Sequence, residues 1–138
     1  MKIERFEDIQ AWQEARVLTQ MVYAVSTKGR FAQDRRLASQ IQAAAGSVMN
    51  NIAEGFDAQS DKEFIRFLIY ARRSATEVQS ELYIALDQQY ITDEEFTAIY
   101  EKATEAKRLI NGFIRYLRQS PQQAQRTTRP KTTRPGTT

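Results

Sequence analysis

Hydrophobic residues recur at intervals near 3.6 along the first 120 positions, the spacing of a helix with one buried face. This spacing, together with the residues at the segment ends, predicts helices over about 6–26, 34–54, 60–88 and 92–119. All three prolines lie after residue 120, so none of them interrupts these segments. We therefore expect an all-α protein in which residues 1–120 form an antiparallel up-down-up-down four-helix bundle.

The residues at the helix ends support these limits. Ser60 with Glu63, and Thr92 with Glu95, fit capping boxes in which the hydroxyl accepts from the Glu amide and the carboxylate reaches back. Gly55 follows the second apolar run and is expected to end that helix.

The third predicted helix has a second apolar stripe, about 100–140° from its core stripe on a helical wheel. The stripe contains Ile65, Ile69, Thr76 and Tyr83. A helix on the surface of a monomer needs only one stripe, so the second predicts an interface between chains in a homo-oligomer. Alternatively, Ile65 and Ile69 widen the face within one chain, because each helix of a bundle touches two neighbours.

The composition excludes several kinds of site. The chain has no Cys and no His, so thiolate nucleophiles, serine-type triads and imidazole metal ligands are impossible, and the Glu-x-x-His pattern of di-iron bundles fails. We expect no enzymatic activity, no cofactor and no metal site. The sequence shows neither a signal peptide nor an apolar run long enough to span a membrane, which favours a cytoplasmic location.

Positive charge gathers towards the C-terminal end. The 20 Lys and Arg exceed the 17 Asp and Glu by three, and the tail 121–138 holds four cations and no acid, which leaves residues 1–120 at −1. No apolar residue follows Ala124, so we expect the tail to be disordered. Basic disordered segments commonly bind phosphate backbones without base specificity.

The sequence therefore predicts a surface for RNA or DNA that combines a helical part and a mobile part. Its members are Lys107, Arg108, Arg115 and Arg118 in the fourth helix, and Arg126, Arg129, Lys131 and Arg134 in the tail. In the alternative interpretation, the helical cations only complement the helix macrodipole and the tail only increases solubility.

A third set of polar residues lies near the end of the second helix and the middle of the third. It comprises Asn51, Glu54, Arg72, Ser74 and Glu77. Such groups most often form a hydrogen-bonded network that fixes the register between helices. The alternative is that Glu54 and Glu77 act as an acid and a base, or bind a hard cation.

Three stretches resemble the four-helix-bundle proteins encoded in intervening sequences of bacterial 23S ribosomal RNA genes. They are Phe6-x-Asp8-Ile9-x-x-Trp12-Gln13-x-Ala15, Ser47-x-x-x-Asn51-Ile52-Ala53-Glu54-Gly55 and Glu63-Phe64-x-x-Phe67-Leu68-x-x-Ala71-Arg72-x-Ser74-x-x-Glu77. The resemblance covers about residues 1–118, and the tail lies outside it.

The resemblance implies an antiparallel four-helix bundle that assembles as a homopentamer. Similar bundles are accessory proteins of diversity-generating retroelements, in which a basic pentameric barrel binds nucleic acid and a reverse transcriptase. This chain differs from that subgroup in the near-neutral charge of residues 1–120. The expected partners are thus a second copy of the chain and RNA or DNA. The alternative is a protein-interaction module, for example an accessory subunit of a reverse transcriptase, with exposed tyrosines such as Tyr70, Tyr83 or Tyr116 as its contacts.

Overall fold

The structure, a computed structural model, describes residues 3–119, and the predicted disordered tail lies outside them. Within this range the chain is all-α, as predicted, and contains no strand. A 3-10 turn covers Phe6–Asp8, and the helices are α1 Gln10–Ser26, α2 Gly29–Gln33, α3 Arg35–Phe56, α4 Asp61–Asp87 and α5 Asp93–Gln119.

The first predicted helix begins later than expected. Its first three residues form the 3-10 turn, and Ile9 then has an extended backbone before α1 starts. The Ile9 side chain is 2% exposed, so this break in the helix inserts it into the core.

The short helix α2 is an addition to the prediction, which places no helix between residues 26 and 34. It follows Lys28 and buries one large side chain, Phe31, which stacks against Tyr90 at a centroid distance of 5.4 Å. Five residues are too few to show a helical period, and the tertiary contact of Phe31 holds this turn in place.

The two expected capping boxes differ in the structure. At α5, Thr92 Oγ1 accepts from Glu95 N at 3.0 Å and Glu95 Oε1 accepts from Thr92 N at 2.9 Å, which confirms the full box. At α4, Ser60 Oγ accepts from Glu63 N at 3.2 Å, but Glu63 Oε2 accepts from Arg66 Nη2 at 2.6 Å. The second half of that box is replaced by an ion pair.

Gly55 does not end the second predicted helix, because α3 continues through it to Phe56. A Cβ atom at this position would lie 2.7 Å from Phe64 Cδ1 and 2.9 Å from Phe67 Cβ. Glycine is therefore required by the close approach of α4 rather than by a helix end.

The four long helices pack as a helical bundle around one core. Helix α1 contacts α3 and α5, and α4 contacts α3 and α5. Fully buried side chains such as Leu18, Ile41, Leu68 and Ile110 come from all four helices. Burying each stabilises the fold by about 1.5–3 kcal/mol relative to exposure. Across residues 3–119 no helix combines the length and the hydropathy that a membrane crossing requires.

Candidate nucleic-acid interface

Helix α5 carries opposite charges at its two ends. Its first turn contains Asp93, Glu94 and Glu95, and its last turn contains Arg118. Acids near the positive end of the helix dipole and bases near the negative end each stabilise the helix. The helix dipole thus accounts for part of the charge pattern. The basic C-terminal turn of α5 directly precedes the tail in the sequence.

Lys107 is engaged within the chain. Its Nζ donates to Gln79 Oε1 at 2.8 Å and to Thr76 Oγ1 at 3.2 Å, so it links α5 to α4. The Gln79 side chain is buried and also donates to Thr104 Oγ1 at 2.9 Å. A phosphate group at Lys107 would compete with these hydrogen bonds.

Arg108 is exposed but paired. Its Nη2 lies 2.6 Å from Glu105 Oε2, and its Nε donates to Glu105 Oε1 at 3.0 Å, which makes a bidentate contact. These hydrogen bonds lower the pKa of Glu105 and raise the pKa of Arg108 from their ordinary values. Glu105 thus offsets the charge that Arg108 would offer to a phosphate.

Arg115 and Arg118 differ from Lys107 and Arg108 in their contacts. Both side chains are exposed, and neither forms an ion pair with any residue in the range 3–119. The structure therefore divides the four predicted helical cations into one that joins two helices, one that pairs with a carboxylate, and two that are free of such partners. The other four, Arg126, Arg129, Lys131 and Arg134, lie outside the described residues.

A second basic segment, absent from the prediction, lies between α1 and the start of α3. Lys28, Arg30, Arg35 and Arg36 fall within nine residues. Arg30 lies over the Tyr90 ring at 5.3 Å, and its Nη1 donates to the Gln88 carbonyl at 3.3 Å. The local density of cations in the sequence was the signal for this segment.

The predicted oligomer stripe is not uniformly exposed. Ile65 and Ile69 are half-buried and pack against the core, and Thr76 accepts a hydrogen bond from Lys107. Tyr83 is 50% exposed and contacts Phe96 at a centroid distance of 4.9 Å. Part of the stripe thus widens the intramolecular face, and Tyr83 is its most exposed apolar group.

Two of the predicted network residues meet at the α3·α4 contact. Ser47 Oγ accepts from Ser74 Oγ and from Asn51 Nδ2, each at 2.9 Å. Arg72 lies at another contact, where its Nη1 donates to Asn111 Oδ1 of α5 at 2.7 Å. These bonds join α4 to both of its neighbours.

Glu54 and Glu77 are both exposed, and neither bonds to Ser47 or Ser74 in the described part of the chain. Within residues 3–119, no cluster of three or more Asp or Glu side chains is arranged to hold a metal ion. The arrangement therefore joins helices through hydroxyl and amide groups, with the two carboxylates at its edge.

A buried carboxylate was missed by the prediction. Glu81 is 8% exposed, and its Oε1 is enclosed without a hydrogen-bond partner. Burial, and secondarily the nearby Glu77, raise its pKa from 4.5 to about 7. The available signal was its position seven residues after Ser74, because that spacing places both side chains on one face of α4.

Comparison with known protein families gives a match over most of the chain. The model of the 23S rRNA-intervening sequence protein family matches residues 7–112. The chain belongs to this family. The match to the intervening sequence proteins ends at residue 112 and does not reach Arg115, Arg118 or the tail.

The structure of a Bacteroides thetaiotaomicron protein, described as having unknown function and belonging to the S23 ribosomal protein family, is similar to this intervening sequence protein. The TM-score is 0.68 at 24% sequence identity, and the alignment covers 76% of this chain and 95% of that chain. The likeness supports the helical fold. No curated protein matches the chain significantly.

Proposed function

We propose that this chain is a non-enzymatic, cytoplasmic, homo-oligomeric scaffold that binds RNA or DNA with little sequence preference. The observation that carries the proposal is the free positive charge at the end of α5. Arg115 and Arg118 are exposed and form no ion pair within residues 3–119, and the tail 121–138 adds four cations and no acid. Lys and Arg that neutralise phosphates bind nucleic acids largely independently of sequence.

The proposed architecture of the scaffold is an antiparallel four-helix bundle formed by α1, α3, α4 and α5. Supporting this, each of these helices contacts two of the others in a closed cycle. Ser47 pairs with Ser74 and Gly55 lies against Phe64, so contacts later in α3 fall earlier in α4. That order is the one expected of neighbours running in opposite directions.

The proposed assembly is a homopentamer, and multivalency is what makes its weak contacts useful. Four tail cations in each of five copies amount to twenty positive charges on one particle. Linked sites of this kind can raise the overall affinity by about 10²–10⁴ without any new contact. The test is the mass by light scattering at micromolar concentration, and a mass equal to one chain would refute the assembly.

The test of nucleic-acid binding is the anisotropy of a labelled RNA titrated with the full chain. If Arg115, Arg118 and the four tail cations all contact phosphates, the affinity should fall by about 10³ between about 50 and about 200 mM salt. If only the two helical arginines do so, the expected loss is about ten-fold. Binding that is independent of salt, or no binding at the lower salt, would contradict the proposal.

A matched pair of variants tests the role of the Arg108–Glu105 pair. Glu105→Gln removes the partner of Arg108, and Glu101→Gln makes the same change in net charge at an exposed site on the same helix. We expect Glu105→Gln alone to steepen the slope of log K against log salt by about 0.7–0.9, the value for one added phosphate contact. Equal slopes for the two variants would show that Arg108 does not reach the nucleic acid.

A second candidate function, a protein-interaction module such as an accessory subunit of a reverse transcriptase, is favoured by an aromatic cluster. Tyr83, Phe96 and Tyr100 pack together at centroid distances of 4.9–6.0 Å, and Tyr83 is half exposed. Capture from a lysate separates the candidates, because a protein partner survives nuclease treatment and a partner held by nucleic acid is lost.

A further inference from the structure

Gly112 lies in the interior of α5, and nothing inside the described chain explains it. A Cβ atom there would meet only one other atom within 4 Å, Arg115 Nη2 at 3.8 Å. Gly55, by contrast, is required because a Cβ atom would collide with Phe64 and Phe67. Glycine in a helix interior costs about 1 kcal/mol relative to alanine. Close approach of a ligand to the backbone is one of the reasons for which a position requires glycine.

The surface around Gly112 is basic and aromatic. Its neighbours on the helix surface are three and four residues away, namely Arg108, Leu109, Arg115 and Tyr116. The Arg115 guanidinium supplies the atom that a Cβ atom at Gly112 would meet, Nη2 at 3.8 Å. An arginine and a tyrosine with exposed side chains therefore flank the position where Gly112 lacks a side chain.

The Tyr116 ring is exposed on one side and contacts the Phe113 ring on the other. It is 50% exposed and lies 6.0 Å from the Phe113 ring, and Phe113 in turn packs edge-on against the buried Phe64 at 5.1 Å. This chain of rings ties Tyr116 to the core, so its free face is available with little loss of side-chain freedom on binding. Aromatic faces of this kind stack with nucleobases, and adjacent cations follow the phosphates.

We propose that Gly112, Arg115 and Tyr116 form a nucleotide-binding site that selects single-stranded RNA or DNA. The base stacks on Tyr116, and its phosphate lies against Arg115 above the backbone of Gly112. Bases inside a duplex are stacked on each other and cannot present a face to the tyrosine. This proposal rests on the proposed function and names the substrate class of that surface.

Gly46 provides an internal contrast. It is also in a helix interior and also has open space around the position of a Cβ atom. Its surface neighbours are Gln42, Ala43, Met49 and Asn50, none of which is charged. Gly46 therefore lacks a packing reason, as Gly112 does, but it has no cation or exposed aromatic ring beside it that could bind a nucleotide. This makes Gly46 the matched control.

The test measures the anisotropy of two labelled RNAs of about 20 nucleotides, oligo(U) and a mixed-sequence duplex. Each RNA is titrated with the full chain at about 50 mM salt. We expect tighter binding to oligo(U), a loss of at least about five-fold for Tyr116→Ala, and a change within about two-fold for Tyr116→Phe. Gly112→Gln should weaken oligo(U) binding, whereas Gly46→Gln should not. Helicity and the melting temperature show that each variant is folded.

The outcomes separate this inference from the proposed function. If the wild type binds oligo(U) and duplex equally and Tyr116→Ala changes neither affinity, the nucleotide site is refuted while nucleic-acid binding stands. If Gly112→Gln and Gly46→Gln weaken binding equally, the role of the missing side chain at Gly112 is refuted. If the wild type binds neither RNA at the lower salt, the site and the proposed function fail together.

Discussion

Replacing Glu81 with glutamine should change how stability depends on pH. Glu81 is 8% exposed, its carboxyl has one enclosed oxygen without a partner, and the pKa of this carboxyl is raised from 4.5 to about 7. The folded protein therefore holds this proton more tightly than the unfolded chain does. Glutamine keeps the shape of the protonated carboxyl and cannot ionise.

The raised pKa of Glu81 sets the direction in which the free energy of unfolding changes with pH. Below about pH 4.5 the group is protonated in both states, and it favours the folded state fully. As the pH rises from about 4.5 to about 7, the unfolded chain ionises first, so the free energy of unfolding falls; above about 7 it levels off. A pKa rise from 4.5 to about 7 corresponds to about 3.4 kcal/mol at full burial. Because Glu77 is exposed, solvent screening reduces the expected effect to about 1–2 kcal/mol.

The assay is urea denaturation of wild type and Glu81→Gln at about pH 5 and about pH 8, at one protein concentration. We expect the variant to be more stable by about 1–2 kcal/mol at the higher pH and nearly equal to wild type at the lower pH. Comparing the two proteins cancels the contribution of the other carboxylates, and Glu101→Gln at an exposed site should show no such difference. A gap that is the same at both pH values would refute the reasoning.

Four further substitutions, three in the backbone and one at the α3·α4 hydrogen bond, should change the stability measured by denaturation. Gln89 has a left-handed φ of 60° after α4, so Gln89→Gly should stabilise the protein by about 0.5–1 kcal/mol. Gly55→Ala should destabilise it by about 1–3 kcal/mol through collision with the buried Phe64 ring, whereas Gly46→Ala should stabilise it by up to about 1 kcal/mol. Ser74→Ala removes the hydrogen bond to Ser47 and should cost about 1 kcal/mol.

Each of these has an outcome that contradicts it. An unchanged melting temperature for Gln89→Gly would mean that the left-handed conformation carries no penalty. Equal effects at Gly55 and Gly46 would show that the approach of α4 does not restrict the first position. A neutral Ser74→Ala variant would mean that water replaces the lost partner of Ser47 at no cost.

The sequence was sufficient for the helices because apolar spacing reports burial over many residues. Long segments give several turns of this signal, and their existence was predicted correctly. The five-residue helix α2 gives only one turn, and its position depends on Phe31 reaching Tyr90, a contact 59 residues away in the chain. Gly55 shows the same limit, because a helix stop and a close helix crossing both favour glycine.

The sequence predicts where the cations of α5 lie on the helix, but it does not predict which of them have partners within the chain. A helical wheel places Lys107, Arg108 and Arg115 near one another, yet it does not say which charge is satisfied. The pairing of Arg108 with Glu105 is readable from their separation of three residues. The engagement of Lys107 by Gln79 requires the packing of α4 against α5, which no local pattern contains.

The residues that hold the bundle together and the residues proposed to bind nucleic acid differ in their position along the chain. Residues 7–112 match the family model and contain most of the core and the hydrogen bonds that join α4 to its neighbours, while Ile114 and Leu117 extend the core beyond the match. Arg115 and Arg118, whose side chains are exposed and form no ion pair within residues 3–119, follow residue 112, as does the basic tail. If the proposed function is correct, neutralising Arg115, Arg118 and the tail cations should alter nucleic-acid affinity while leaving helicity and assembly intact. Loss of assembly on neutralising Arg115 and Arg118 would instead mean that these cations bind a second copy of the chain.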